Sequence, residues 1–337
     1  MRICVVGAGA IGGLLAARLS LAGEAVTVID KGAHLEAIRR DGLKLLMHDG
    51  TEHVAKGLTA LDDCATAGKQ DLVILALKAH VIASVAPKLA ALFDDATMVM
   101  TAQNGLSWWY FQRHGGPHDG QRIQCLDPDG TIERHIEARR IIGCVVYPAA
   151  ELAAPGVVRH VEGDRFAIGE LDDAQTERVK SVAEALTRAG FKAVIPDNIR
   201  AEVWLKLWGN MSFNPISALT HATLVDICQF APTRELAAAM MREAQAVAGK
   251  LGIEFRVPLE KRIAGAEKVG SHKTSTLQDI EAGREVETDA LLGAVIELAK
   301  LTQTPVPACE SVLAMLKLLA KVLKDNHAAA RVVPIAA

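Results

Sequence analysis

Long apolar runs, paired cysteines, basic patches and aromatic residues are all scarce in this chain. Half of the 337 residues are apolar and the mean hydropathy is slightly positive. Even so, no apolar run reaches the ~18 residues of a membrane helix, which argues against a membrane-spanning protein. The formal net charge is −3, with 37 Lys and Arg interspersed among 40 Asp and Glu. No basic patch therefore points to nucleic acid. The six cysteines are scattered with no close pair at metal spacing, and no metal centre is expected. Cys4 and Cys144 sit inside apolar strand patterns and read as core thiols. The strand pattern begins directly after Met1-Arg2, so we expect no signal peptide and a cytoplasmic protein with reduced thiols. The length suits two domains and a sizeable core.

What is present begins at the N-terminus. Ile3-Cys4-Val5-Val6 is a continuous apolar run, as in a parallel strand buried on both faces. Gly7-Ala8-Gly9-Ala10-Ile11-Gly12 follows, then a helical stretch to about Ala22, a stop at Gly23 and a second strand at Ala25–Ile29. This is the dinucleotide fingerprint in its required strand–turn–helix context. Gly7 allows the tight turn, Gly9 lets the backbone approach a pyrophosphate, and Gly12 lets the helix pack on the strand. The helix start then offers amides and partial positive charge to phosphates.

The end of the second strand leaves the cofactor open. Asp30 stands where a carboxylate would accept from ribose hydroxyls and repel a 2′-phosphate, favouring NAD. Lys31, Arg39 or Arg40 would instead pair with that phosphate, favouring NADP. Leu43–Leu61 reads as a β excursion around the Asp49-Gly50 turn. Asp71–Leu77 and Thr97–Ala102 read as further buried strands. Lys78 and Asn104-Gly105 lie just past their carboxyl ends, where open α/β sheets bind ligands. A solvated Lys78 and a plain Asn-Gly turn are the alternatives. With only 4% aromatics, the cluster Trp108-Trp109-Tyr110-Phe111 stands out, either as a buried helix face or as an apolar wall over a ligand. Residues 114–140 read as a long surface excursion. Strand patterns resume over 140–150 and 157–170, then a helix over 172–189 and a last strand at Phe191–Ile195. The first domain is expected to span 1–196.

Residues 197–325 read as an all-helical second domain, with 326–337 a loosely held tail. In Asn198–Pro215 the apolar Val203, Leu207 and Met211 recur at helical spacing. Lys206, Asn210 and Asn214 share that spacing and line one neighbouring stripe. Asp197 is placed to cap this helix, and Pro215 to end or kink it at Asn214. One cation and two amides on one edge suit holding and protonating a small oxygen-rich molecule.

Together, Gly7–Gly12, Leu77-Lys78-Ala79, Asn104-Gly105, Asn198–Pro215, and Ser275-Thr-Leu-Gln-Asp279 with Glu287-Thr-Asp289 resemble the ketopantoate reductase (2-dehydropantoate 2-reductase) family. The resemblance spans most of the chain. It implies a Rossmann-type doubly wound α/β domain followed by an all-helical one, with an active site in the cleft between them. It also implies NADPH-dependent reduction of a 2-keto acid, 2-dehydropantoate in the pantothenate pathway for the named member. Carried over by position, Lys206 is the catalytic lysine and Glu287 the acid near it and the nicotinamide ribose. Asn210, Asn214 and Ser275 bind substrate, Ser275 through the carboxylate, and Asn104 bridges cofactor and substrate. The loop Gly7, Ala8, Gly9, Ala10, Ile11 and Gly12 holds the cofactor, with Lys31, Lys78 and Ala149 beside it.

Three departures mark this chain. Asp30-Lys31 stands where an Arg is frequent, Ala222-Thr223-Leu224 replaces a further asparagine, and Trp108–Phe111 with residues 114–140 enlarges the region beside the substrate. They leave room for a dehydrogenase acting on a bulkier 2-keto or 2-hydroxy acid; an NADPH-binding sensor without turnover is a separate alternative, which the intact Lys206, Ser275 and Glu287 set speaks against. A homodimer through the helical domain is the default expectation.

Overall fold

The computed structural model describes residues 1–333, so positions 334–337 of the expected tail lie outside the described residues. The chain forms two compact units, Met1–Arg122 with Asp127–Glu202, and Ile123–Leu126 with Val203 onward.

The first unit runs β1 (Arg2–Val6), α1 (Ala10–Leu21), β2 (Ala25–Ile29), α2 (Gly32–Asp41), β3 (Leu43–Leu46), β4 (Glu52–Ala55), β5 (Thr59–Leu61) and β6 (Leu72–Leu75). It continues through α3 (Ile82–Val85), β7 (Met98–Thr101), α4 (Thr131–His135), β8 (Ile141–Val146), β9 (Ala149–Ala154), β10 (Val157–Glu162), β11 (Arg165–Glu170), α5 (Glu177–Arg188) and β12 (Lys192–Val194). Eight strands make one sheet in the order β12-β11-β8-β7-β6-β1-β2-β5. It is parallel except where β11 meets β8. The continuous apolar runs explain its centre: Ile3, Cys4 and Val5 in β1 and Val73, Ile74 and Leu75 in β6 are fully buried. With β1 between β6 and β2, the strand order reverses there, and in open α/β sheets ligands bind outside the carboxyl ends at such a point.

The expected β excursion is only half a hairpin. β3 and β4 pair antiparallel, but β5 leaves them and joins the main sheet beside β2. β3 also pairs with β10, making a separate four-stranded sheet, β4-β3-β10-β9. Val158 of that sheet lies where a Cβ on Gly13 would be, at 2.6 Å, so a glycine lets α1 and β10 meet. Trp108–Phe111 is buried, but in successive turns rather than a helix. Trp109 explains part of that burial, since its indole N–H donates to Thr101 Oγ1 at 2.9 Å.

The 114–140 stretch is not simply a surface excursion. Ile123, Asp127, Ile132 and Ile136 are buried, and residues 123–126 belong to the second unit. The Glu297 carboxylate holds them there by accepting the Gln124 and Cys125 amides at 2.6 and 2.9 Å.

Among the described residues after β12 there are only helices: α6 (Ile199–Thr220), α7 (Leu224–Gln229), α8 (Ala231–Lys250), α9 (Leu259–Lys268), α10 (Ser275–Glu281), α11 (Ala294–Leu301) and α12 (Pro307–Asp325). The division between units falls within α6, after Glu202. Asn198, not Asp197, caps α6, its Oδ1 accepting the Ala201 amide at 2.7 Å. The helix also runs through Pro215 to Thr220. A helix-interior proline costs about 3 kcal/mol. Burial of Trp204, Trp208, Met211 and Ile216, at about 1.5–3 kcal/mol for each large apolar side chain, outweighs it. None of the described helices is long and apolar enough to cross a membrane.

Candidate functional site

In the first unit the glycine loop is shaped residue by residue. Gly7 has φ +90°, a left-handed conformation that favours glycine. A Cβ on Gly12 would lie 1.8 Å from the Gly7 carbonyl oxygen and 2.8 Å from Ala76 Cβ, so only glycine lets α1 sit this close to β1 and β6. A Cβ on Gly9 would meet nothing within 4 Å, so the backbone there faces open space. The first turn of α1 has neither a side-chain cap nor an acidic residue. An open cradle beside uncapped helix amides fits the pyrophosphate of a dinucleotide.

Two side chains, Asp30 and His34, hold this loop. Asp30 Oδ2 accepts the Ala8 amide and its Oδ1 the Lys31 amide, each at 2.7 Å. Asp30 thus braces the end of β2 against the loop. His34, buried on α2, accepts the Gly156 amide at Nδ1 (2.9 Å), which makes Nε2 the donor to the Ala8 carbonyl at 2.8 Å. Ala8 is fully buried with both its backbone groups engaged. A histidine on the apolar face of α2 was the only sequence signal for this brace.

Lys31 is exposed at the start of α2, and Lys78 is half-buried just past β6. Asn104 is half-buried beyond β7, and Ala149 opens β9 in the smaller sheet. The first turn of α6 is fixed within this unit. Arg200 donates to the Tyr110, Leu171 and Gln112 carbonyls, and Glu202 accepts from Tyr147 Oη (2.9 Å) and Arg165 (3.0 Å). Burial, then the Glu202 carboxylate, push the Tyr147 phenol up to about 12, so it remains a donor.

In the second unit Lys206, Asn210 and Asn214 recur every four residues along α6. Thr274, not Ser275, caps α10, its Oγ1 accepting the Leu277 amide at 3.3 Å. The exposed Ser275 hydroxyl is thereby left to accept from Asn214 Nδ2 at 3.4 Å, across 61 positions of sequence. Arg284 folds back on Asp279, through its backbone amide (2.8 Å) and its side chain (2.7 Å). That loop carries the half-buried Glu287 into a π-helical turn, Asp289–Gly293. Such turns recur at functional sites, and helical periodicity gave no sign of this one.

One histidine pair, His114 and His118, has four-residue spacing. It spans Gly115-Gly116-Pro117, and both rings pack at 5.6 Å from Phe111. No group of three or more His, Cys, Asp or Glu side chains suited to a metal occurs among the described residues.

Residues 3–110 match the family model "Ketopantoate reductase PanE/ApbA", and residues 198–320 match its C-terminal counterpart. The 2-dehydropantoate 2-reductase of Mesorhizobium japonicum is 50% identical over 95% of this chain and 98% of its own. The chain belongs to the ketopantoate reductase family. A solved structure of a candidate ketopantoate reductase from Ralstonia solanacearum superposes with a TM-score of 0.91 at 40% identity, covering 96% of this chain and 98% of that one. A D-mandelate dehydrogenase solved with NADH and anilino(oxo)acetate shares the fold, with a TM-score of 0.82 at 23% identity over 96% and 99% of the two chains. Ketopantoate reductases are NAD(P)-dependent oxidoreductases.

Proposed function

We propose that this chain reduces 2-dehydropantoate to pantoate with NADPH, the reductive step of pantothenate biosynthesis. The observation that carries the reading is the contact between Asn214 and Ser275. It joins the two substrate motifs of a chain half identical to a 2-dehydropantoate 2-reductase.

The Gly7–Gly12 loop would hold the pyrophosphate of a reduced nicotinamide dinucleotide, which when bound would supply hydride to the C2 carbonyl carbon. Negative charge then collects on the ketone oxygen. The Lys206 ammonium stabilises that charge and gives its proton to the oxygen, leaving a 2-hydroxy acid and a neutral amine that solvent reprotonates. Asn210 and Asn214 offer a donor and an acceptor to hydroxyl groups, Ser275 holds the carboxylate, and Asn104 orients substrate against cofactor. Glu287 favours the charged form of Lys206.

NADP is the proposed cofactor form. In its support, both Asp30 oxygens are engaged by backbone amides, and the exposed Lys31 follows directly as a cation for a 2′-phosphate. Lys78 and Ala149 complete the proposed cofactor contacts. A cytoplasmic location is supported by six free thiols. Self-association is supported by the exposed Met315, Leu318 and Val322, which share one face of α12.

A bulkier 2-keto acid is the second reading. Ser107 Oγ and Trp108 Nε1, four residues or fewer past Asn104, are buried without a hydrogen-bond partner. The test is oxidation of NADPH and NADH by purified protein, in parallel, with 2-dehydropantoate and with aromatic 2-keto acids. Faster turnover with NADPH and 2-dehydropantoate is expected. Preference for an aromatic keto acid would move the assignment to the second reading, and preference for NADH would overturn the roles given to Lys31 and Asp30.

A further inference from the structure

Gly209 lies in the middle of α6 and is buried. A glycine inside a helix costs about 1 kcal/mol relative to alanine, so its presence there asks for a reason. A Cβ on Gly209 would lie 2.2 Å from a terminal nitrogen of Arg262 and 2.9 Å from its Cζ. The guanidinium of Arg262, reaching over from α9, therefore occupies the space a side chain would take. Gly209 is three residues after Lys206 and one before Asn210. On a helix, positions three apart place their Cβ atoms about 5–6 Å from each other. The Arg262 guanidinium is thus seated beside the Lys206 stripe, against bare backbone.

The charges of the proposed substrate give this seat a use. A 2-keto acid carries a full negative charge on its carboxylate and gains a second on the ketone oxygen during reduction. Lys206 answers the second. Asn210, Asn214 and Ser275 are neutral. A guanidinium presents five donors in a planar fork that matches a carboxylate.

We propose that Arg262 is a specificity-determining residue that binds the substrate carboxylate, seated at the α6 backbone by the missing side chain of Gly209. The proposal rests on the 2-keto acid reading above and adds to it the residue that selects acids over neutral ketones. Arginine at this point was not legible from the periodicity of α9, because its meaning depends on a glycine in another helix.

The test compares wild type, R262Q and R262K on a 2-keto acid and on its neutral 2-keto amide. The expected result is a fall of at least tenfold in the acid-to-amide ratio of kcat/KM in R262Q. The loss falls mainly in KM, and R262K partly recovers it, because a point charge replaces the fork. A ratio that holds while both rates drop together, or while neither moves, overturns the proposal. The wild-type rate with the acid reports separately on the 2-keto acid reading. Should wild type reduce neither compound, calorimetric titration with oxamate decides the role of Arg262. Binding at least tenfold weaker in R262Q supports it; equal affinity, or no oxamate binding by wild type, overturns it.

Discussion

Asp30 Oδ2 accepts the Ala8 amide at 2.7 Å, so the carboxylate at the end of β2 holds the glycine loop in place. Its other oxygen takes the Lys31 amide at the same distance. Each is a charge-assisted hydrogen bond, and losing such a bond costs about 1.5–3 kcal/mol. Asp30→Ala is therefore expected to weaken NADPH and NADH together, by tenfold or more each, and to lower stability by about 2 kcal/mol. Fluorescence titration with both nucleotides checks it. Tighter NADPH binding with weaker NADH binding would mean that Asp30 chooses the cofactor instead of bracing the loop.

Gly9 and Gly12 belong to one motif but face different surroundings. Gly9→Ala adds a methyl to open space, so the variant should fold with an unchanged melting temperature and lose nucleotide affinity by at least tenfold. Gly12→Ala drives a methyl to within 1.8 Å of the Gly7 carbonyl oxygen, and overpacking of that kind costs about 3 kcal/mol or more. Its first defect should be in stability. Thermal melts run beside nucleotide titrations separate the two, and equal melting temperatures for both variants would contradict the packing.

Glu24 gives the first unit an acid-sensitive brace. Burial pushes its carboxyl up, but hydrogen bonds from the N-terminal ammonium and Arg188 outweigh that and hold it below its ordinary value of 4.5. A carboxyl with a lowered folded pKa contributes its full stability above the unfolded pKa and loses it as pH falls through the folded one. The stability of the wild type should therefore decline below about pH 4.5 with a contribution from this site. Glu24→Gln should cost about 1–3 kcal/mol at pH 7 and flatten the acid limb. Urea unfolding at pH 7, 5 and 3.5 measures both; parallel curves at all three values would remove Glu24 from the acid response.

How much of this was legible depended on whether a residue's meaning is local. The buried strands β1 and β6, the glycine turn and the α6 stripe follow from short periods, and the Rossmann sheet and helical second unit follow from those. Pro215 misled because its local cost is smaller than the burial of Trp204, Trp208 and Met211 around it. The Asp30 brace had no local sign, because the Ala8 amide it holds lies 22 residues away. The Asn214–Ser275 and Gly209–Arg262 approaches each need two helices at once. β5 leaving its hairpin for the main sheet, and the π turn after Glu287, had no periodic signature.

Lys206 is the residue whose replacement should separate chemistry from binding. It shares the α6 stripe with Asn210 and Asn214, and the latter is fastened to Ser275. Removing the ammonium takes away the proposed proton donor but leaves those amides and the glycine loop in place. A general acid contributes about 10²–10⁴-fold to rate. Lys206→Ala should thus lower kcat by that range while NADPH binding, read by fluorescence, stays within threefold of wild type. Lys206→Arg keeps the positive charge on a group that does not release its proton near neutral pH, so it should recover substrate affinity but not kcat. Added primary amines should restore part of the Lys206→Ala rate in proportion to their protonated fraction. Were Lys206→Ala to keep most of its turnover, the proton would have to come from another group, and Lys206 would be left as a substrate contact only.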